Sequence, residues 1–308
     1  MSAARLGGMN KEKPGSMLVL RSCLLAALVA SVMPAIAAAA AVVLGPAESR
    51  LQLSQISAQL AGRYDNDPQR YYLEGMKRGA TAPARLHVLI RPVAEKPATF
   101  TIEERDGSEH DAIARQGTLT LEADATTRQI IMKLDAGTTQ CAWNWSRRNT
   151  VWMATPQGAC AAKPGNGIAG KTLWLGPDEF WLESAQSPVA TELGRAHEYE
   201  CYIALKPRDG KPNIFTGLRL HDRGGTLEVK TNETPSRALT LSLRRGMWPS
   251  NSGNNLTELL SIYLHEPGSP AILGSGWATP EASRVGFGTE EEGLTDGKTI
   301  NSRCKRID

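Results

Sequence analysis

Apolar residues recur at every second position along most of this chain, in short runs bounded by Gly, Pro, Asp and Asn. That period marks β-strands with one buried face, because successive side chains of a strand leave opposite sides of the backbone. In the first half, strands are expected at 84–92, 99–105, 117–122, 128–134, 141–146, 150–154, 171–175 and 179–184. The stretch 185–195 (AQSPVATELGR) loses the alternation and reads as a linker. Strands resume at 199–205, 214–220, 225–231, 237–243, 258–265, 271–278, 283–288 and 299–304, with a long loop at 246–255 and a polar, acidic turn region at 289–298. One helix precedes them, where Leu51, Leu53, Ile56 and Leu60 are spaced for a single apolar face and Gly62 is a stop signal.

Evenly spaced short strands of this kind make an all-β protein. The expected organisation is a β-barrel over residues 48–186 and a second all-β sandwich or barrel over 195–308. Residues 1–40 are set apart by composition. Within them, 17–40 carry Arg21, an apolar stretch through Val32 and a run of alanines with small-x-small cleavage sites, the pattern of a secretory signal peptide. Cys23 is expected to leave with that segment, and a periplasmic or secreted protein is expected to remain. Beyond it no apolar run approaches the roughly 20 residues that span a bilayer.

Export changes how the cysteines read. Cys141, Cys160, Cys201 and Cys304 permit three connectivities. Cys141 and Cys160 flank one hairpin-like stretch, whereas Cys201 and Cys304 lie in the first and last strands of the second half. Two consecutive bridges follow from that layout, in an oxidising compartment. The net charge of +3 is spread over interspersed Lys, Arg, Asp and Glu, so neither a nucleic-acid footprint nor a polybasic membrane patch is present.

The chain carries no HExxH, GxSxG, Walker loop or GxGxxG. His87, His110, His197, His221 and His265 stand far apart along it, and no metal is expected. Aromatic residues supply the stronger signal. Alternation places Cys141, Trp143 and Trp145 on one strand face, and Trp152 can meet them from the next strand. Facing a barrel interior, they would wall a flat apolar pocket for a conjugated or lipid-like ligand; the competing reading makes them ordinary core residues. Polar candidates near such a pocket are Tyr64, Asp65, Arg91, Glu103 and Glu104, and only one of the two adjacent glutamates can face inward.

Four elements resemble the CpcT/CpeT chromophore lyases over residues 50–185: LAGRYDNDPQ at 60–69, the strand HVLIRPV at 87–93, Phe100 followed by Glu103, and Cys141 at a distance from Cys160. The resemblance implies a ten-stranded, lipocalin-like (calycin) barrel that holds an open-chain tetrapyrrole and passes it to a cysteine of an acceptor protein. It puts Tyr64, Asp65, Asn66, Gln69, Arg91 and Glu103 at matching positions, beside the tryptophan face. The functions expected are binding of a small hydrophobic or bilin-like ligand, bilin transfer to a protein thiol, or a structural or adhesive envelope role without ligand.

Overall fold

The computed structural model describes residues 45–75, 81–162, 167–206, 211–232, 234–249, 255–269, 271–290 and 299–308. The signal segment 17–40, Cys23, residues 250–254 of the expected loop and residues 291–298 of the acidic turn region lie outside the described residues. Residues 41–308 form one compact unit.

Ten antiparallel strands close into a barrel. They are β1 (Gly62–Asp65), β2 (His87–Pro92), β3 (Thr99–Arg105), β4 (Arg115–Ala123), β5 (Ile130–Ala136), β6 (Thr139–Arg148), β7 (Val151–Pro156), β8 (Thr172–Leu175), β9 (Glu179–Glu183) and β10 (Thr191–Arg195). Each strand pairs with the next in sequence, and β1 closes the ring against β10. The expected linker at 185–195 is thus corrected: it carries the closing strand, and the barrel runs to Arg195. With Leu193 its one fully buried apolar side chain, β10 shows no alternation to read.

Alternation holds elsewhere. Phe100 and Ile102 on β3, Ile130, Met132 and Leu134 on β5, and Trp143 and Trp145 on β6 all enter one core. The expected helix is α1 (Pro46–Leu60), which adds Ile56 and Leu60 to that core, while Leu51 stays 53 % exposed. Ile56 and Leu60 are one helical turn apart, but Leu51 is five residues before Ile56, well round the cylinder. Two further helices are α2 (Asp67–Gly75) and α3 (Gly158–Ala162), and α3 carries Cys160 to its bridge with Cys141 on β6.

The remaining strands are β11 (Glu198–Lys206), β12 (Asn213–His221), β13 (Arg223–Lys230), β14 (Ala238–Pro249), β15 (Leu256–His265), β16 (Ile272–Ala278), β17 (Arg284–Glu290) and β18 (Thr299–Arg306). They form two four-stranded sheets, ordered β12-β11-β18-β17 and β13-β14-β15-β16. Read around the pair, this is an up-and-down ring of eight, closed by β11 on β18 and opened between β12 and β13 and between β16 and β17. At the second opening Gly276 lets β16 cross the Gly286 carbonyl so closely that a Cβ would overlap it. Leu239, Leu241 and Leu243 of β14 face Ile203, Cys201 and Cys304 across a second core. Cys201 and Cys304 are directly paired in register and bridged.

Tyr64 ties α1 to the barrel wall. Its hydroxyl donates to the Gln59 carbonyl at 2.7 Å and accepts from Arg195 Nη2 at 2.7 Å, and its ring packs on Phe180. Burial pushes its phenol up from 10.0 to about 12, with Arg195 pulling the other way. The neutral form is therefore favoured by folding: its stabilisation is complete below the unfolded value near 10 and is lost as pH rises through about 12. At about 1.4 kcal/mol per unit this loss amounts to roughly 2–3 kcal/mol. Tyr199, raised to about 12 mainly by burial, titrates over the same range. Urea unfolding of wild type and Tyr64→Phe across this window is expected to give a shallower alkaline decline in the variant; parallel declines would show that Tyr64 is not the group responsible.

Candidate functional site at the junction of barrel and sandwich

The motif Gly62-Arg63-Tyr64-Asp65-Asn66 builds this site by alternation. Tyr64 points into the barrel, so Arg63 and Asp65 point out of it, and there they meet the sandwich. Asp65 is wholly buried, and its two oxygens take four bonds. Oδ1 accepts from the Asp67 amide at 2.8 Å and Arg85 Nε at 3.2 Å; Oδ2 accepts from Arg85 Nη2 at 3.0 Å and faces His87 Nδ1 at 3.0 Å. Arg85 also donates to the Gly224 carbonyl of β13 at 3.0 Å. Asp67 receives Arg244 Nε of β14 at 2.7 Å, and Arg63 bonds Glu109 and, at 3.1 Å, Glu198 of β11. Gly224, at φ +83°, lies so close to the Asp67 carboxylate that only a residue without Cβ fits.

Asn66 latches the neighbouring loop, donating to the Ala84 carbonyl at 3.0 Å and accepting from the Leu86 amide at 2.8 Å. It also starts α2, since the Arg70 amide bonds its carbonyl. Asn66-Asp67-Pro68 is a helix-start signature that sequence reasoning passed over. Gln69 fastens α2 to β10, donating to the Ala190 carbonyl at 2.8 Å and accepting from the Glu192 amide at 3.0 Å. α2 packs on β13 and β14, with Tyr71 stacked under Arg244 at 4.3 Å.

Two histidines distant in sequence converge beside this network. His87 of β2 and His221 of β12 have ring centroids 5.4 Å apart, and both are buried. Candidate ligand atoms of Asp65, His87 and His221 lie within 4.8 Å of one another. His221 Nδ1 accepts from the Arg223 amide at 3.2 Å, while its Nε2 makes no hydrogen bond among the described residues and lies 3.4 Å from Glu109 Oε1. Burial, reinforced by His87, Arg63 and Arg85, holds the His221 imidazole well below its ordinary range. Next to it Asp222 is pushed up by burial and Arg223 is pushed down by burial, each opposed by the charge of the other.

A cleft of about 540 Å³ opens on the same seam. Its walls come from α2 (Tyr72, Leu73), β9 (Glu179, Trp181), β10 (Glu192) and the sandwich (Arg223, Met247, Leu256). Glu192 stands directly across from Trp181 in the β9–β10 register. Partial desolvation and the charge of Glu179 push the Glu192 carboxyl up. Glu258, also in the wall, is neutralised by Arg245 at 2.8 Å, whereas Glu179 and Glu192 form no ion pair among the described residues.

The other expected positions lie elsewhere. Trp143, Trp145 and Trp152 are 0, 4 and 3 % exposed, packed in the barrel core, so they fill the interior and do not wall an open pocket. Trp143 Nε1 donates to the Lys171 carbonyl at 2.8 Å, and Arg147 covers Trp152 at 5.5 Å. Glu103 faces outward, sharing its oxygens between Arg91 and Arg105 at 3.2 Å each. Glu104 is the inward glutamate, accepting from the Ile168 amide at 2.8 Å and from Arg115 Nε at 2.5 Å. Parity decides this: on a strand Glu104 shares a face with Phe100 and Ile102, and Glu103 does not. Glu104, Arg115, Ile102 and Leu134 border a cavity of about 270 Å³. Neither Arg91 nor Glu103 borders the seam cleft.

The chain matches no family model, no curated protein and no solved structure.

Proposed function

We propose that this is an exported, non-catalytic binding protein that holds a small aromatic ligand bearing a positively charged group, in the cleft between barrel and sandwich. The observation that carries the proposal is the juxtaposition of Trp181 and Tyr72 with Glu179 and Glu192, which form no ion pair among the described residues, in a cleft of about 540 Å³. Ligand sites commonly fall between packed layers and span about 300–1,000 Å³, and π faces beside carboxylates suit an aromatic cation. The two disulfides support export, since such bridges persist in oxidising compartments. Among the described residues no helix is long and apolar enough to cross a membrane.

The resemblance to chromophore lyases enters as support for the barrel. A tetrapyrrole inside that barrel has less support, because the tryptophans fill its interior and the cavity beside Glu104 measures only about 270 Å³. Bilin transfer would require an acid-stable bilin on an added acceptor cysteine.

Titration of the mature protein with tryptamine, biliverdin, haem and oleate, followed by tryptophan fluorescence, tests the proposal. Saturable quenching is expected with tryptamine, weakened at least about tenfold in Trp181→Ala and several-fold in Glu192→Gln. Saturation by none of the four, or affinity unchanged in Trp181→Ala, would rule this cleft out.

A further inference from the structure

We infer that the ligand of the seam cleft, if that cleft is the binding site proposed above, is an aromatic α-amino acid. It is held as its zwitterion, with the carboxylate on Arg223 and the ammonium beside Glu179 and Glu192.

The outer face of β9 and β10 sets the geometry. Phe180, Leu182 and Leu193 enter the barrel core, so alternation turns Glu179, Trp181, Glu192 and Gly194 outward. Across the ladder Glu179 pairs with Gly194 and Trp181 with Glu192. Residues two apart on a strand are separated by about 6.4–6.8 Å, so these positions form a compact square. It carries an indole, two carboxylates and one bare backbone position. That bare position is filled from the sandwich: a Cβ on Gly194 would overlap Arg223 Cζ, so the guanidinium takes the place of the missing side chain, across from Glu179. All five residues border the one cleft.

The donors of Arg223 are uncommitted. Its Nε donates to the Arg195 carbonyl at 3.3 Å, while Nη1 and Nη2 make no hydrogen bond or ion pair among the described residues. The carboxylates whose charge it feels are engaged or held off. Glu258 takes Arg245 at 2.8 Å, Asp222 Oδ1 takes the His197 amide at 2.8 Å, and Glu179 forms no ion pair among the described residues. A part-buried guanidinium with free donors suits a planar anion, and a carboxylate accepts two parallel N–H bonds from it.

The cleft wall thus presents opposite charges that do not neutralise each other. A simple amine satisfies Glu179 and Glu192 but is repelled by Arg223. A zwitterion satisfies all three. Because Arg223 and Glu179 flank a single ladder pair, the two charged groups of the ligand must lie close together, as they do on the one α-carbon of an amino acid. Trp181, beside them on the same face, is left to stack on the ligand's ring.

Calorimetric titration of the mature protein with L-tryptophan, L-tryptophan amide, tryptamine and indole-3-propionate separates these groups. L-Tryptophan is expected to bind at least about tenfold more tightly than tryptamine or the amide, which lack the carboxylate, and than indole-3-propionate, which lacks the ammonium. In Arg223→Met the preference for tryptophan over tryptamine is expected to shrink to within about twofold. The wild-type series decides alone if that variant does not fold. Tryptamine binding as tightly as tryptophan, or a tryptophan preference that survives in Arg223→Met, would overturn the inference and leave the aromatic-cation reading standing. Binding of none of the four would overturn both.

Discussion

Replacing Cys201 and Cys304 by alanine is expected to lower stability by about 4–5 kcal/mol, the largest effect of any paired substitution in this chain. The bridge spans 103 residues, so it removes from the unfolded ensemble nearly all the freedom of the chain that becomes the sandwich. It also joins β11 to β18, the single pairing that closes the ring of eight strands, and both cysteines are buried there. The Cys141–Cys160 bridge spans only 19 residues and is expected to contribute about 3 kcal/mol. Against a usual total of about 5–15 kcal/mol, either loss is severe. Urea unfolding of the two double-alanine variants is expected to rank them in this order. The reverse order would show that loop length does not govern these bridges.

Substituting Asp65 by alanine is the second large effect, about 3–5 kcal/mol, because it leaves Arg85 with only the Gly224 carbonyl and a 3.6 Å contact to Asp67 and leaves His87 Nδ1 without its acceptor. Arg85 keeps a buried charge and His87 loses the acceptor that orients it. Removing one partner of a buried pair is far costlier than removing both. The double variant Asp65→Ala/Arg85→Met should therefore be more stable than Asp65→Ala alone. A single-variant loss under about 1 kcal/mol, or no recovery in the double variant, would mean the network does not hold barrel and sandwich together.

Much of this architecture is legible in the sequence, wherever a strand has one face in a core. The Cys141, Trp143, Trp145 face reads correctly from its period, as do the strands of both halves and the two cysteine pairs. β1 and β10 each bury a single apolar side chain, Tyr64 and Leu193, so no period shows, whereas β8 and β9 of the same lengths bury two each, and both β1 and β10 lie at the barrel's closure. Their outward residues, Arg63, Asp65 and Glu192, are polar on account of the sandwich lying against them or the cleft beside them, which no local pattern records. The resemblance points to Glu103 by its spacing from Phe100, although alternation from the same phenylalanine points to Glu104. The junction itself is illegible for a topological reason: His87 and His221 meet only because the outer face of β2 packs beside the end of β12. Tyr64, Asp65 and Asn66 read as ligand contacts for the barrel, yet Asp65 points away from its interior.

The proposed ligand surface is the seam, and the barrel interior is filled by Trp143, Trp145 and Trp152. Hydrogen–deuterium exchange of the mature protein, free and saturated with tryptamine, tests it most directly. New protection is expected in α2, in β9 and β10, and at Gly246, Met247, Leu256 and Glu258, with β5, β6 and β7 unchanged. Protection confined to β5, β6 and β7, the strands that carry Trp143, Trp145 and Trp152, would place the ligand inside the barrel and contradict it.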